Sequence, residues 1–183
     1  MTLLLHKTVA LIGMMGAGKT AVGKAIATRL NVPFIDSDQE IEKAANMSIA
    51  EIFERDGEAF FRKKESQIIN RLLENKKCIL STGGGAFLNA QNREMIHDKG
   101  ISVWLNADLE VLWARVKNNQ ARPLLQTENP FASLTQLYAQ RKPIYACADL
   151  SIQSGAQISV EEMADKVISA LLKRPDILES HHD

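Results

Sequence analysis

Residues 13–20, Gly13-Met14-Met15-Gly16-Ala17-Gly18-Lys19-Thr20, satisfy the pattern G-x-x-x-x-G-K-[ST], and no other stretch restricts the fold of this chain so strongly. An apolar run, Thr8-Val9-Ala10-Leu11-Ile12, precedes it, and a helical pattern with Val22, Ile26 and Leu30 on one face follows. That is the strand, loop and helix context in which the pattern cradles phosphates. Glycines at 13, 16 and 18 let the backbone turn and bring N–H groups close to phosphate oxygens with no Cβ in the way. The helix starting near Lys19 adds free N–H groups and the positive end of its dipole. Lys19 brings a full charge to the β- and γ-phosphates, and the Thr20 hydroxyl suits Mg²⁺. The expected ligand is a nucleoside triphosphate with Mg²⁺; the competing reading is a glycine-rich turn with no ligand.

Anion binding has to be local in this chain, because 22 Lys and Arg balance 22 Asp and Glu. A net charge of zero gives no general attraction to nucleic acid or to an anionic membrane. At 183 residues and 45% apolar content the chain suits one globular domain, taken as 1–175, with 176–183 as a frayed tail. Cys78 and Cys147 have no metal-ligand spacing and no disulfide framework around them. Leu3-Leu4-Leu5 is too short for a secretory signal and no apolar run reaches membrane length, so a soluble, cytoplasmic protein is expected.

Five apolar runs read as strands, at about 7–12, 33–36, 77–81, 101–105 and 148–152. Helical patterns fill the spaces: about 19–30, from 39 onward, 48–53, 58–74, 89–99, 108–118, 133–140 and 159–172. Ser48-Ile49-Ala50-Glu51 is a capping box, and the closing helix places Val160, Met163, Val167 and Leu171 inward. The alternation predicts an α/β fold, a parallel sheet wrapped by helices on both faces.

Several polar positions fall at strand ends or near them. Asp36-Ser37-Asp38 closes the second strand, where open α/β sheets place their ligands. In extended backbone Asp36 and Asp38 point the same way, into a pocket; alternatively Ser37 or Asp38 caps the next helix. Arg62 has Glu58 four residues before it and Glu65 three after, which fits either a surface ion pair or a guanidinium held for an anion. Thr82-Gly83-Gly84-Gly85 runs straight out of the third strand, and three ordered glycines imply that something approaches bare backbone. A polar segment at about 117–130 reads as a mobile flap in which Arg122 reaches over the triphosphate.

Taken together these pieces resemble shikimate kinase, within the nucleoside-monophosphate-kinase-like P-loop group. The matching residues are 13–20, Asp36-Ser37-Asp38, Phe61-Arg62 with Glu65, Thr82-Gly83-Gly84-Gly85, Arg122-Pro123-Leu124-Leu125, and Arg141 followed by Pro143 and Tyr145. The resemblance implies a five-stranded sheet of order 2-3-1-4-5, a lid at about 117–130 and a shikimate-binding region at about 37–65. It implies ATP-dependent phosphorylation of the 3-hydroxyl of shikimate by a monomer, on the route to chorismate and the aromatic amino acids. Asp38, Arg62, Gly83, Gly84, Gly85 and Arg141 would bind shikimate, with Asp38, Lys19 and Arg122 catalytic. Gly16, Ala17, Gly18, Lys19, Thr20, Ala21, Arg122 and Gln157 would contact ATP, and Thr20 and Asp36 would hold Mg²⁺. Another small-metabolite or nucleotide kinase is the alternative of the same class. A nucleotide-dependent switch is a third reading, disfavoured because the guanine-reading pattern [NT]-K-x-D is absent.

Overall fold

The structure is a computed structural model that describes residues 1–118 and 125–182. Five strands form one parallel sheet: β2 (Thr8–Ile12), β3 (Phe34–Asp36), β4 (Ile79–Ser81), β5 (Gly100–Asn106) and β6 (Leu150–Gln153). Their order is β3-β4-β2-β5-β6, which is 2-3-1-4-5 when only these strands are counted. The central strand β2 is buried along its whole length, as a parallel strand covered on both faces must be. The chain leaves β2 for β3 on one side and reaches β5 on the other, so a crevice opens beyond the C-terminal end of β2.

The helices follow from their apolar stripes and caps. They are α1 (Lys19–Leu30), α2 (Ser37–Ala45), α3 (Ile49–Asp56), α4 (Glu58–Glu74), α5 (Ala90–Lys99), α6 (Leu109–Val116), α7 (Pro130–Tyr145) and α8 (Val160–Leu171). Helix α1 buries Val22, Ile26 and Leu30, each contributing about 1.5–3 kcal/mol by leaving water. It stops at Asn31 and α2 stops at Asn46, both left-handed with φ of 53° and 52°, a conformation asparagine tolerates. Ser48 caps α3 by accepting from the Glu51 amide, and α4 buries Phe61, Ile68, Leu72 and Leu73.

Four sequence expectations are corrected. The end of the chain is not frayed over its whole length: β7 (Leu178–His181) pairs antiparallel with β1 (Thr2–Leu5), a strand the sequence reading missed. Leu5, Ile177 and Leu178 are buried, and that apolar anchorage orders the ribbon. Helix α7 does not end at residue 140 but runs to Tyr145 with Pro143 inside it. Burial of the Tyr145 ring offsets the one backbone hydrogen bond that proline forfeits. Val160 is 41% exposed, because it opens α8 at the rim of the core. Neither Ser37 nor Asp38 caps α2; Asp36 does, accepting from the amides of Asp38 and Gln39.

Candidate active site

The loop between β2 and α1 has φ of +148° at Gly13, +80° at Gly16 and +96° at Gly18, values that L side chains rarely adopt. A methyl group at Gly16 would also stand 2.8 Å from Val116 Cγ1 of α6. Lys19 Nζ donates to the carbonyls of Gly13 at 2.6 Å and Met14 at 3.3 Å. Arg115, on α6, donates to the Gly16 carbonyl at 2.9 Å and lines the same cavity. Sequence reasoning missed Arg115, since nothing local distinguishes it from a solvated helix arginine.

Asp36 and Asp38 do face one cavity, though not by strand alternation. Asp36 ends β3 and caps α2, while Asp38 sits in the first turn of that helix. Ser37, fully buried between them, accepts from the Gly83 amide at 3.3 Å and ties α2 to the glycine run. Burial, and next the neighbouring Asp36 carboxylate, push the Asp38 pKa up to about 6, against the opposing pull of Lys19 and Arg62. A carboxylate of that pKa exchanges a proton readily near neutral pH.

The glycine triplet has side-chain neighbours that themselves require bare backbone. A Cβ on Gly83 would lie 2.7 Å from Asp38 Oδ1, one on Gly84 2.9 Å from Arg141 Nη1, and one on Gly85 2.5 Å from Arg62 Nη2. Bare backbone thus forms a floor against which a carboxylate and two guanidinium groups pack, one per glycine. The Gly83 amide is taken by Ser37; the amides of Gly84 and Gly85 have no acceptor among the described residues.

Of the two readings of Arg62, the structure favours the held guanidinium. Its Nη1 donates at 3.0 Å to Glu65, a carboxylate only 1% exposed, while its contact with exposed Glu58 is looser at 3.6 Å. Burial raises the Glu65 pKa, and Arg62 opposes that rise. A buried charged partner fixes the arginine far better than a surface pair would. Arg141 is buried near the end of α7 beside Tyr145, whose hydroxyl donates to the Gly84 carbonyl at 2.6 Å.

Asp36, Asp38, Arg62, Glu65, Arg115, Arg141 and the glycine triplet line one cavity of about 710 Å³ together with the nucleotide loop. Its lining includes Gly16, Ala17, Gly18, Lys19, Thr20 and Ala21 on the nucleotide side and Asp38, Arg62, Arg141 and the three glycines opposite, with Ile49, Phe53 and Phe61 as apolar wall. Gln157 is exposed in the loop after β6 and does not line the cavity. Arg122 lies outside the described residues, as does part of the 117–130 segment.

Mg²⁺ fits the oxygen donors present. Thr20 Oγ1 and the second carboxylate oxygen of Asp36 have no hydrogen-bond partner among the described residues, and both residues line the cavity beside the loop. No group of three or more His, Cys, Asp or Glu that could hold a metal occurs among the described residues. Magnesium bound with substrate phosphates needs no such cage, only one or two hard oxygen ligands and water.

The family model described as shikimate kinase matches residues 15–172. A shikimate kinase of Ruegeria pomeroyi is 63% identical over 175 residues, covering 96% of this chain and 90% of that relative. Among solved structures, shikimate kinase from Acinetobacter baumannii in complex with shikimate aligns with a TM-score of 0.85 at 39% identity, covering 91% of this chain and 93% of that one. Shikimate kinase from Bacteroides thetaiotaomicron aligns with a TM-score of 0.83 at 34% identity, covering 90% and 98%.

Proposed function

The chain belongs to the shikimate kinase family and phosphorylates the 3-hydroxyl of shikimate with ATP, and from that premise we propose how its residues share the reaction. Amides of residues 16–21 and the Lys19 ammonium hold the triphosphate, with Arg122 reaching it from the lid. Arg115, beside the loop, adds positive charge on the same flank. Gln157 is assigned to the adenine end on sequence grounds alone. Thr20 and Asp36 would hold Mg²⁺, which when bound would supply neutralising charge for the triphosphate.

Arg62 and Arg141 grip the shikimate carboxylate, and the free amides of Gly84 and Gly85 and the Asp38 carboxylate take the hydroxyls. The 3-hydroxyl oxygen then attacks the γ-phosphorus in line. The bond from that phosphorus to the β–γ bridging oxygen breaks, ADP leaves, and the hydroxyl proton passes to Asp38. Lys19 stabilises the charge that gathers on the transferred group. Placement matters more than the base, since such transition states are loose.

The observation that carries this reading is the glycine floor, because it brings Asp38, Arg62 and Arg141 to one wall of the cavity whose other wall is the nucleotide loop. A monomer is the working unit assigned from the family resemblance. The free thiols Cys78 and Cys147 suit a reducing cytoplasm. No helix among the described residues is long and apolar enough to cross a membrane. The test is a coupled ADP-release assay with shikimate, gluconate and nucleoside monophosphates, run on the parent enzyme and on Arg62→Ala. Turnover of shikimate alone, with its KM raised about tenfold or more and the ATP KM held in the variant, is the expected result. An unchanged shikimate KM returns Arg62 to the surface-ion-pair reading.

A further inference from the structure

Among the described residues Tyr145 is the largest fully buried side chain, yet its hydroxyl reaches the backbone of Gly84, which lines the cavity. Its ring packs at a tilt against Trp104, centroids 6.1 Å apart, the β5 residue paired with Ile12 just before the nucleotide loop. Its hydroxyl donates to the Gly84 carbonyl at 2.6 Å. A Cβ on Gly84 would meet Arg141 Nη1 at 2.9 Å and Tyr145 Oη at 3.9 Å, so guanidinium and phenol crowd the same glycine. Arg141 and Tyr145 are one helical turn apart on α7, facing the same way. The Gly84 carbonyl belongs to the peptide whose N–H is that of Gly85, an amide with no acceptor among the described residues. Donation to that carbonyl polarises the peptide and strengthens its N–H as a donor.

We infer that Tyr145 is a positioning residue for the sugar-acid substrate: its hydroxyl locks the Gly84–Gly85 peptide and the Arg141 guanidinium in one register, so that amide and arginine reach the substrate together. It touches no reacting atom. This rests on the assignment of Arg141 and the glycine amides to shikimate.

The experiment compares steady-state kinetics and thermal unfolding for Tyr145→Phe, Leu134→Val, Arg141→Ala and a variant carrying 4-aminophenylalanine at position 145. Phenylalanine keeps the ring and its packing on Trp104. It removes only the donor, so the shikimate KM should rise about tenfold while the ATP KM stays within about twofold. Leu134→Val loosens the same helix at a buried site outside the cavity and should lower the melting temperature without moving either KM. 4-Aminophenylalanine restores a ring donor at the same reach and should bring the shikimate KM back toward the parent value. A shikimate KM within twofold of the parent in Tyr145→Phe overturns the inference, as does a matching rise in Leu134→Val or no recovery with the amine. If Arg141→Ala itself leaves the shikimate KM unchanged, the substrate assignment fails; if it raises KM and Tyr145→Phe does not, only the role of Tyr145 fails.

Discussion

Substituting Gly85 by alanine adds one methyl group at the point where the floor meets Arg62. Gly85 has φ of −92° and ψ of −10°, ordinary right-handed backbone, so alanine brings no conformational strain. The methyl would stand 2.5 Å from Nη2, 2.7 Å from Nη1 and 2.9 Å from Cζ of Arg62. Normal contact needs about 3.5 Å, so the guanidinium must withdraw by about 1 Å. A shift of that size in a group that positions a reactant lowers the rate by about 10²-fold. Weakening one charge-assisted hydrogen bond, worth about 1.5–3 kcal/mol, gives a similar range, about 10- to 150-fold. We therefore expect kcat/KM for shikimate to fall about 30- to 100-fold with the ATP KM within twofold. Stability should hardly change. Gly→Ala at a compatible position gains roughly 0.4–1 kcal/mol from the unfolded chain, which offsets strain in the Arg62–Glu65 pair, leaving the melting temperature within about 4 °C. The assay is coupled ADP release with either substrate varied, beside thermal unfolding. A shikimate kcat/KM within threefold of the parent would refute the argument that this glycine exists to admit Arg62.

Asp38 gives predictions of opposite sign for activity and stability. With its folded pKa raised to about 6 from 3.8, kcat/KM for shikimate should decline as pH falls through about 6. Between those two values the folded state binds the proton more tightly than the unfolded chain does, so stability falls as pH rises through that window. Asp38→Asn should thus be more stable than the parent at pH 7, on the order of 2 kcal/mol, with the gap closing near pH 4, and nearly inactive; denaturant unfolding at several pH values checks it, and a less stable variant at pH 7 contradicts it. Lys19→Ala should lower kcat by about 10²-fold or more through lost charge stabilisation, and single-turnover rates within tenfold of the parent would contradict the role given to Lys19.

The nucleotide half of the site was legible because its chemistry is local: a loop of eight residues supplies its own glycines, lysine and hydroxyl, and the flanking periodicities fix strand and helix. The acceptor half depends on residues far apart in sequence. The glycine run announced a close approach, but spacing along a chain does not say that Asp38, Arg141 and Arg62 are what approaches, one per residue. Asp36 and Asp38 were placed together for the wrong reason, since helix α2 begins one residue after Asp36 and breaks the strand alternation. Glu65 looked like one member of a surface pair because sequence cannot show that its carboxylate is buried. Arg115 carried no motif logic of its own and Tyr145 entered only as part of the family match; their roles arise from what α6 and α7 pack against. The β1–β7 ribbon escaped notice because neither short run signals a partner more than 170 residues away.

The most direct test is a crystal structure of the enzyme with shikimate and an unreactive ATP analogue. The account predicts the carboxylate of shikimate between Arg62 and Arg141, and the 3-hydroxyl beside Asp38, aimed at the γ-phosphate on the side of Lys19. A ring turned so that its carboxylate contacts neither arginine, or a 3-hydroxyl facing away from Lys19, would contradict it.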